Sequence, residues 1–289
     1  MDTYTDSNTR ERRPYESDGM IAALNRGLLQ RDRMWQRHSA SWILEYPTWP
    51  TEWQQQTPML ALYDYMATGS ADLAEAYAAR LLNDTKVGFI DKTGVVGRIP
   101  HKSGQPGGHI IGWDPAPGAC DPQPNCTPAS PYEASDHETP CNSWAVHGLE
   151  TLAELASIYG NHSRSQELAA MASALRGNVM RSMWNATKGH FCDGFCADTN
   201  TSNSSVYSDY TTLFLGLVPQ AAQQGVWESV ATHGIEHIGA YGAFLYLEAL
   251  AKYPSVGDDG SAILTALAKC DETSWCGEVR NATFCAIYI

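Results

Sequence analysis

Asp6-Ser7-Asn8-Thr9-Arg10-Glu11-Arg12-Arg13-Pro14-Tyr15-Glu16-Ser17-Asp18 places four carboxylates and three arginines in thirteen residues, directly ahead of a helical pattern. Such a cluster is either a helix entry or the rim of a site. As a helix entry, Pro14 sets the first turn, Ser17 is the N-cap, and Glu16 and Asp18 complement the positive end of the helix dipole. Structural ion-pair clusters are the commoner case, so composition alone favours the helix entry. From Ser17 onward, Ile21, Leu24 and Leu28 recur at steps of three and four, which is helix periodicity.

The helical texture continues outward from this stretch. A second helix is predicted from Asp32 through Trp35 and Trp42 to Leu44, ending before Pro47. Thr51 followed by Gln54 reads as a capping box, which predicts a third helix from Thr51 through Met59, Leu62 and Met66 to Gly69, with Glu52 and Trp53 in its first turn. Leu73, Tyr77 and Leu81 mark a fourth, one-faced helix. The stretch from Thr85 to Asn142 is rich in Gly, Pro, Asp and Ser and reads as a long irregular loop, of the kind that serves as a lid or site wall. Helical patterns resume over Ala145–Tyr159, Leu168–Met183, Tyr210–Leu217, Ala221–Ala231, Tyr241–Tyr253 and Ser261–Lys269, with a short hairpin predicted around His190–Cys196. Some segments, such as Met59–Met66 and Phe244–Leu250, are apolar most of the way round, whereas others carry a single apolar stripe. That contrast predicts two helical layers, inner and outer. The pattern by itself gives an all-α chain, which an α-solenoid would also satisfy.

Composition narrows the partners. With 19 Lys and Arg against 32 Asp and Glu in 289 residues, the net charge of −13 repels polyphosphates, and nucleic-acid binding is not expected. No apolar run approaches the roughly 20 residues of a membrane span, so no membrane association is expected. The first ten residues are too polar for a signal peptide. Yet Asn83, Asn125, Asn161, Asn185, Asn200, Asn203 and Asn281 each begin an Asn-x-Ser/Thr acceptor pattern, more than accident supplies. Eight cysteines point the same way, toward an extracellular or secretory location. Cys192 and Cys196 flank a short turn, Cys270 and Cys276 are close, Cys120, Cys126 and Cys141 share one loop, and Cys285 is left over. A zinc reading of His190, Cys192 and Cys196 lacks a second ligand pair at usable spacing. Secretory features without a leader make the chain read as a fragment whose true start lies upstream. No Ser/His/Asp elbow, Walker loop or dinucleotide fingerprint is present, and no cofactor is expected.

Several of these stretches share one resemblance. Asp6-x-x-x-Arg10-Glu11-Arg12, with Asp18 seven residues after Glu11, resembles the acid-bearing motif of the α-L-rhamnosidases, the six-hairpin glycosidases of glycoside hydrolase family 78. Leu44-Glu45-Tyr46-Pro47-Thr48-Trp49-Pro50-Thr51-Glu52-Trp53 is similar to a signature in one branch of that family. Gly108–Trp113, Phe191–Gly194, Leu215–Pro219 and Ser274–Cys276 follow in the family's order. The resemblance implies an (α/α)6 six-hairpin toroid, a single domain over residues 1–289 that is incomplete at its C-terminal end, with the β-rich upstream modules and the final helices absent. It implies Glu11 as general acid, with Asp6, Arg10 and Asp18 at the sugar. Trp49, Trp53 and Trp113 are candidate aromatic walls, and Glu52 is either a partner of the site or a first-turn acid. The expected substrate is a carbohydrate, a rhamnose-containing glycoside or polysaccharide, cleaved with inversion.

The match also breaks in places. The family's general base is a late Glu expected near Ala286–Ile289, where no carboxylate stands; Glu272 and Glu278 are near only in sequence. Gly112 occupies a position where relatives carry Asp, with Asp114 two residues on. The base is therefore unassigned. A non-catalytic rhamnose-binding or degenerate relative is the alternative, and an all-α scaffold protein a third reading.

Overall fold

The computed structural model describes residues 14–29, 33–48, 52–99, 136–198, 204–234 and 240–253. The described residues up to Ile99, with Trp144–Asn178, form one compact unit; Asp136–Ser143, with the described residues from Val179 on, form another.

In the first unit the elements are α1 (Glu16–Leu29), α2 (Met34–Glu45), α3 (Thr57–Thr68), α4 (Asp72–Ala76) and α5 (Ala78–Asp84), joined by most of α6 (Thr139–Ile158) and of α7 (His162–Met183). α1 enters one residue earlier than the sequence reading placed it. The Tyr15 carbonyl accepts the Gly19 amide at 2.8 Å, and Glu16 and Asp18 lie in the first turn. Ser17 is not the cap, for its buried hydroxyl has no hydrogen-bond partner. α3 begins at Thr57 rather than Thr51, behind a 3-10 turn at Gln54–Gln56. Pro58 explains this: proline fits the first helical turn but would break a helix already running from further back. Gly69 closes α3 in the left-handed conformation, φ 72°, as the sequence predicted. The fourth helix is two short ones broken at Tyr77.

Burial separates two layers. α1 and α3 pack side by side, and α2 packs on both. α6 is buried on nearly every side from Thr139 to Val146 and again at Leu149, Leu152, Ala153, Leu155 and Ala156. α7 buries a single stripe, Leu168, Ala172, Leu175, Val179 and Met183, at steps of four, three, four and four. Each fully buried Leu of this kind contributes about 2 kcal/mol of transfer free energy. α2 is fixed to α3 by a two-pronged ion pair: Arg37 donates from Nε and Nη2 to the Asp64 carboxylate, at distances down to 2.7 Å. This hydrogen-bonded partner raises the Arg37 pKa against the opposing effect of burial.

The second unit holds β1 (Trp184–Asn185), β2 (His190–Phe191), α8 (Val206–Phe214), α9 (Gln223–His233) and α10 (Ala240–Lys252). The same arrangement recurs here, with α8 against α10 and α9 on both. α8 is buried along its whole length, while α9 buries Val226, Trp227 and Val230. The hairpin lies earlier than expected: Trp184 pairs with Phe191 and Asn185 with His190, and Cys192–Cys196 follows it as a disulfide-closed loop. Cys141, read as a loop residue, is buried inside α6, where its thiol donates to the Glu138 carboxylate at 3.4 Å. The irregular stretch accordingly ends by Glu138. Among the described residues no helix is long and apolar enough to cross a membrane. The helix predicted over Ser261–Lys269 and the cysteines at 120, 126, 270, 276 and 285 lie outside the described residues.

Candidate active site

The end of the acidic stretch and the tryptophan-bearing stretch, some thirty residues apart in sequence, meet in the first unit. Glu16, 1% exposed, accepts the Thr48 amide at 2.6 Å and also the Thr48 hydroxyl. Tyr15, one residue earlier, meets the Trp53 ring edge-on at 6.0 Å and 73°. The sequence reading gave Glu16 only a dipole role; its carboxylate clamps the Tyr46–Thr48 segment to the start of α1.

A second set of contacts fixes the other side of the same turn. Gln54, Gln55 and Gln56 are all buried. Gln55 Nε2 donates to the Thr85 carbonyl at 3.0 Å, Thr57 Oγ1 donates to Asp84 at 3.0 Å, and Lys86 Nζ donates to Gln54 Oε1. Asp84 pairs with Arg80 at 3.0 Å and faces Lys86 at 4.0 Å. Burial pushes the Asp84 carboxyl up to about 6, against the pull of Arg80 and Lys86. Burial likewise lowers the Lys86 ammonium, with Asp84 opposing. Lys86 stands at φ 65°, the sole non-glycine positive φ among the described residues. A lysine held there is strained by about 1 kcal/mol or more, which the surrounding contacts must offset. Nothing in the sequence marked Asp84 or Lys86 as part of this support, because it arises only where the α5 end folds back beneath Gln54.

The predicted site residues fall as follows. Asp18 is half-buried in the first turn of α1. Glu52 and Trp53 occupy the turn between Thr48 and Gln54, 1% and 5% exposed, not the first turn of α3 as expected. Asp6, Arg10, Glu11, Trp49 and Trp113 lie outside the described residues. What the structure brings together is therefore the shoulder of each motif: Tyr15 and Glu16 from one, Thr48 and Trp53 from the other.

The second unit carries its own buried polar knot. Asp193 Oδ1 accepts from the Ser205 amide at 2.9 Å, Ser205 Oγ at 2.6 Å and Ser208 Oγ at 2.7 Å. Thr139 at the start of α6 donates its amide to the Asp193 carbonyl and its hydroxyl to the Cys192 carbonyl. The Phe191–Gly194 segment singled out in the sequence thus ties α6 to α8. His190 Nδ1 lies 3.7 Å from Asp209, whose adjacent carboxylate raises the imidazole pKa against the opposing effect of burial. The Cys192–Cys196 bond occupies both sulfurs of the zinc reading, and among the described residues no trio of His, Cys, Asp or Glu is placed to hold a metal ion.

Residues 131–243 match the family model of the mannosylglycerate hydrolase MGH1-like glycoside hydrolase domain. Among solved structures, a rhamnosidase from Klebsiella oxytoca with rhamnose bound superposes with a TM-score of 0.72 at 13% identity, over 99% of this chain and 54% of that one. The α-L-rhamnosidase from Dictyoglumus thermophilum gives 0.67 at 13% identity, over 97% of this chain and 31% of that one. The native enzyme from Aspergillus terreus gives 0.63 at 15%, over 97% and 32%. The chain thus spans about half the length of the first structure and about a third of the other two. No curated protein matches it in sequence. These likenesses are of fold, and they agree with the all-α pattern of the described residues: the chain has the helical fold seen in these solved α-L-rhamnosidases.

Proposed function

We propose that this chain is the catalytic portion of a glycoside hydrolase that removes terminal α-L-rhamnose with inversion of configuration. The observation that carries the reading is the clamp between Glu16 and Thr48, which ties the two stretches that most resemble the rhamnosidases at one end of α1. In this reading Glu11 protonates the leaving oxygen. Asp6, Arg10 and Asp18 hold the sugar hydroxyls, and Trp49 and Trp113 offer ring faces to its apolar side. Glu52 and Trp53, closed off from solvent, support the site from behind. Inversion needs a second carboxylate about 6.5–9.5 Å from the acid to activate water; that residue is unassigned. A secreted, N-glycosylated enzyme fits the acceptor patterns and the disulfide.

The test is release of nitrophenol from an aryl α-L-rhamnoside, with and without azide, alongside mannosylglycerate as a comparison substrate. Ready turnover of the rhamnoside supports the full reading. Turnover only with azide supports a surviving sugar pocket without its base, the rhamnose-binding alternative. Cleavage of mannosylglycerate alone would replace rhamnose as the substrate, and no turnover of either by folded protein would overturn the reading.

A further inference from the structure

Three of the seven Asn-x-Ser/Thr patterns fall within the described residues, at Asn83, Asn161 and Asn185. Transfer of a glycan joins the sugar's anomeric carbon to the asparagine Nδ2 and leaves Oδ1 as a carbonyl. A finished site therefore needs an Nδ2 that reaches solvent, while Oδ1 remains available for internal hydrogen bonds.

Asn161 and Asn185 meet that condition. Asn161 is exposed just ahead of α7, and its Oδ1 accepts the Arg164 amide at 3.1 Å as the helix cap. Asn185 ends β1, and its Oδ1 accepts the Thr187 and Lys188 amides at 3.1 and 3.0 Å, shaping the hairpin turn. In both, Nδ2 forms no hydrogen bond among the described residues. Their partner hydroxyls, on Ser163 and Thr187, are on exposed residues. Asn142 and Asn178, which begin no acceptor pattern, are used the opposite way: each spends Nδ2 internally, on the Glu138 carbonyl at 3.0 Å and the Gly94 carbonyl at 2.7 Å. Asn83 is exposed, but the hydroxyl of its own pattern is not available. Thr85 is 0% exposed, and its Oγ1 donates to the Leu82 carbonyl at 2.6 Å.

We propose that Asn161 and Asn185 are N-glycan attachment sites that remain competent in the folded chain, whereas Asn83 is closed once the Asp84–Lys86 corner forms. The donor is a lipid-linked oligosaccharyl diphosphate. The anomeric carbon–oxygen bond to diphosphate breaks, the carbon–nitrogen bond to Nδ2 forms, and one amide proton is released with the lipid diphosphate. The Cys192–Cys196 disulfide independently points to the oxidising compartment where this transfer occurs. The inference does not depend on the hydrolase reading.

Two measurements test it. In the chain secreted from a eukaryotic host, enzymatic deglycosylation in heavy-oxygen water followed by peptide mass spectrometry should place labelled aspartate at 161 and at 185. An unlabelled residue at either position overturns that assignment. In the folded, unglycosylated chain incubated with purified oligosaccharyltransferase and its lipid-linked donor, peptides containing Asn161 and Asn185 should gain glycan and the Asn83 peptide should not. Modification of Asn83 to the same extent would overturn the accessibility argument, and the loss of each signal in Asn161→Gln or Asn185→Gln would fix its origin.

Discussion

Replacing Glu16 with alanine should loosen the clamp on which the site assignment rests. The carboxylate accepts the Thr48 amide and hydroxyl from a position 1% exposed. Hydrogen bonds to a charged group are worth about 1.5–3 kcal/mol each, and the stranded amide adds its own desolvation cost. The loss expected for Glu16→Ala is roughly 3–5 kcal/mol, a drop in melting temperature of about 10 °C for a chain of this size. Glu16→Gln keeps one acceptor and turns a donor toward the other partner, so about half that loss is expected. Urea unfolding followed by tryptophan fluorescence reads both, and the same variants should lose activity through the displaced Tyr15–Trp53 pair. A Glu16→Ala protein unfolding within about 0.5 kcal/mol of the parent, the range of an ordinary surface change, would refute the reasoning.

Three further outcomes follow from the structure. Asp84 has a folded pKa of about 6, above its unfolded value of 3.8, so the folded state binds the proton more tightly. Its burial therefore opposes folding fully above about pH 6, and the penalty fades as pH falls from about 6 to about 4 and is absent below that; Asp84→Asn should flatten that part of the stability–pH curve, and an unchanged slope would contradict the account. Removing Asp193 with Asp193→Ala strands three donors from Ser205 and Ser208 and should cost about 3 kcal/mol or more in urea unfolding. Reducing Cys192–Cys196 opens a loop closed over a sequence separation of only 4, so the chain-entropy loss should be about 2 kcal/mol, measured by the shift in urea midpoint with and without reductant.

The fold was legible where a single periodicity governed a long segment. The C-terminal ends of α6 and α7 were predicted to within a residue because their apolar steps are regular, while both helices begin six residues earlier than the patterns did, and Gly69 ends α3 for the backbone reason that made it readable. The misreadings are local. Thr51 and Gln54 looked like a cap, but Pro58 overrides such a signal by removing the donor a continuing helix needs. The hairpin shifted because Asn185 and Gly189, φ 76°, make the turn, while Cys192 and Cys196 close the loop beyond it. Asp84 meets Thr57, Lys86 meets Gln54 and Asp193 meets Ser205 across 27, 32 and 12 residues of chain, and no window of sequence shows those pairings. Glu16 was noticed for its charge, yet its partner at Thr48 is what gives it a role.

If the acidic stretch delivers a proton to the leaving group of a rhamnoside, Glu11→Gln should show it as leaving-group dependence. General acid catalysis contributes about a hundred- to ten-thousand-fold, and it matters most when the leaving alcohol is poor. The variant should lose kcat/KM by that factor on a natural alkyl or glycosyl α-L-rhamnoside and by much less on a nitrophenyl rhamnoside, whose leaving group needs little protonation. Equal activity of the variant and parent on the natural rhamnoside would contradict the claim.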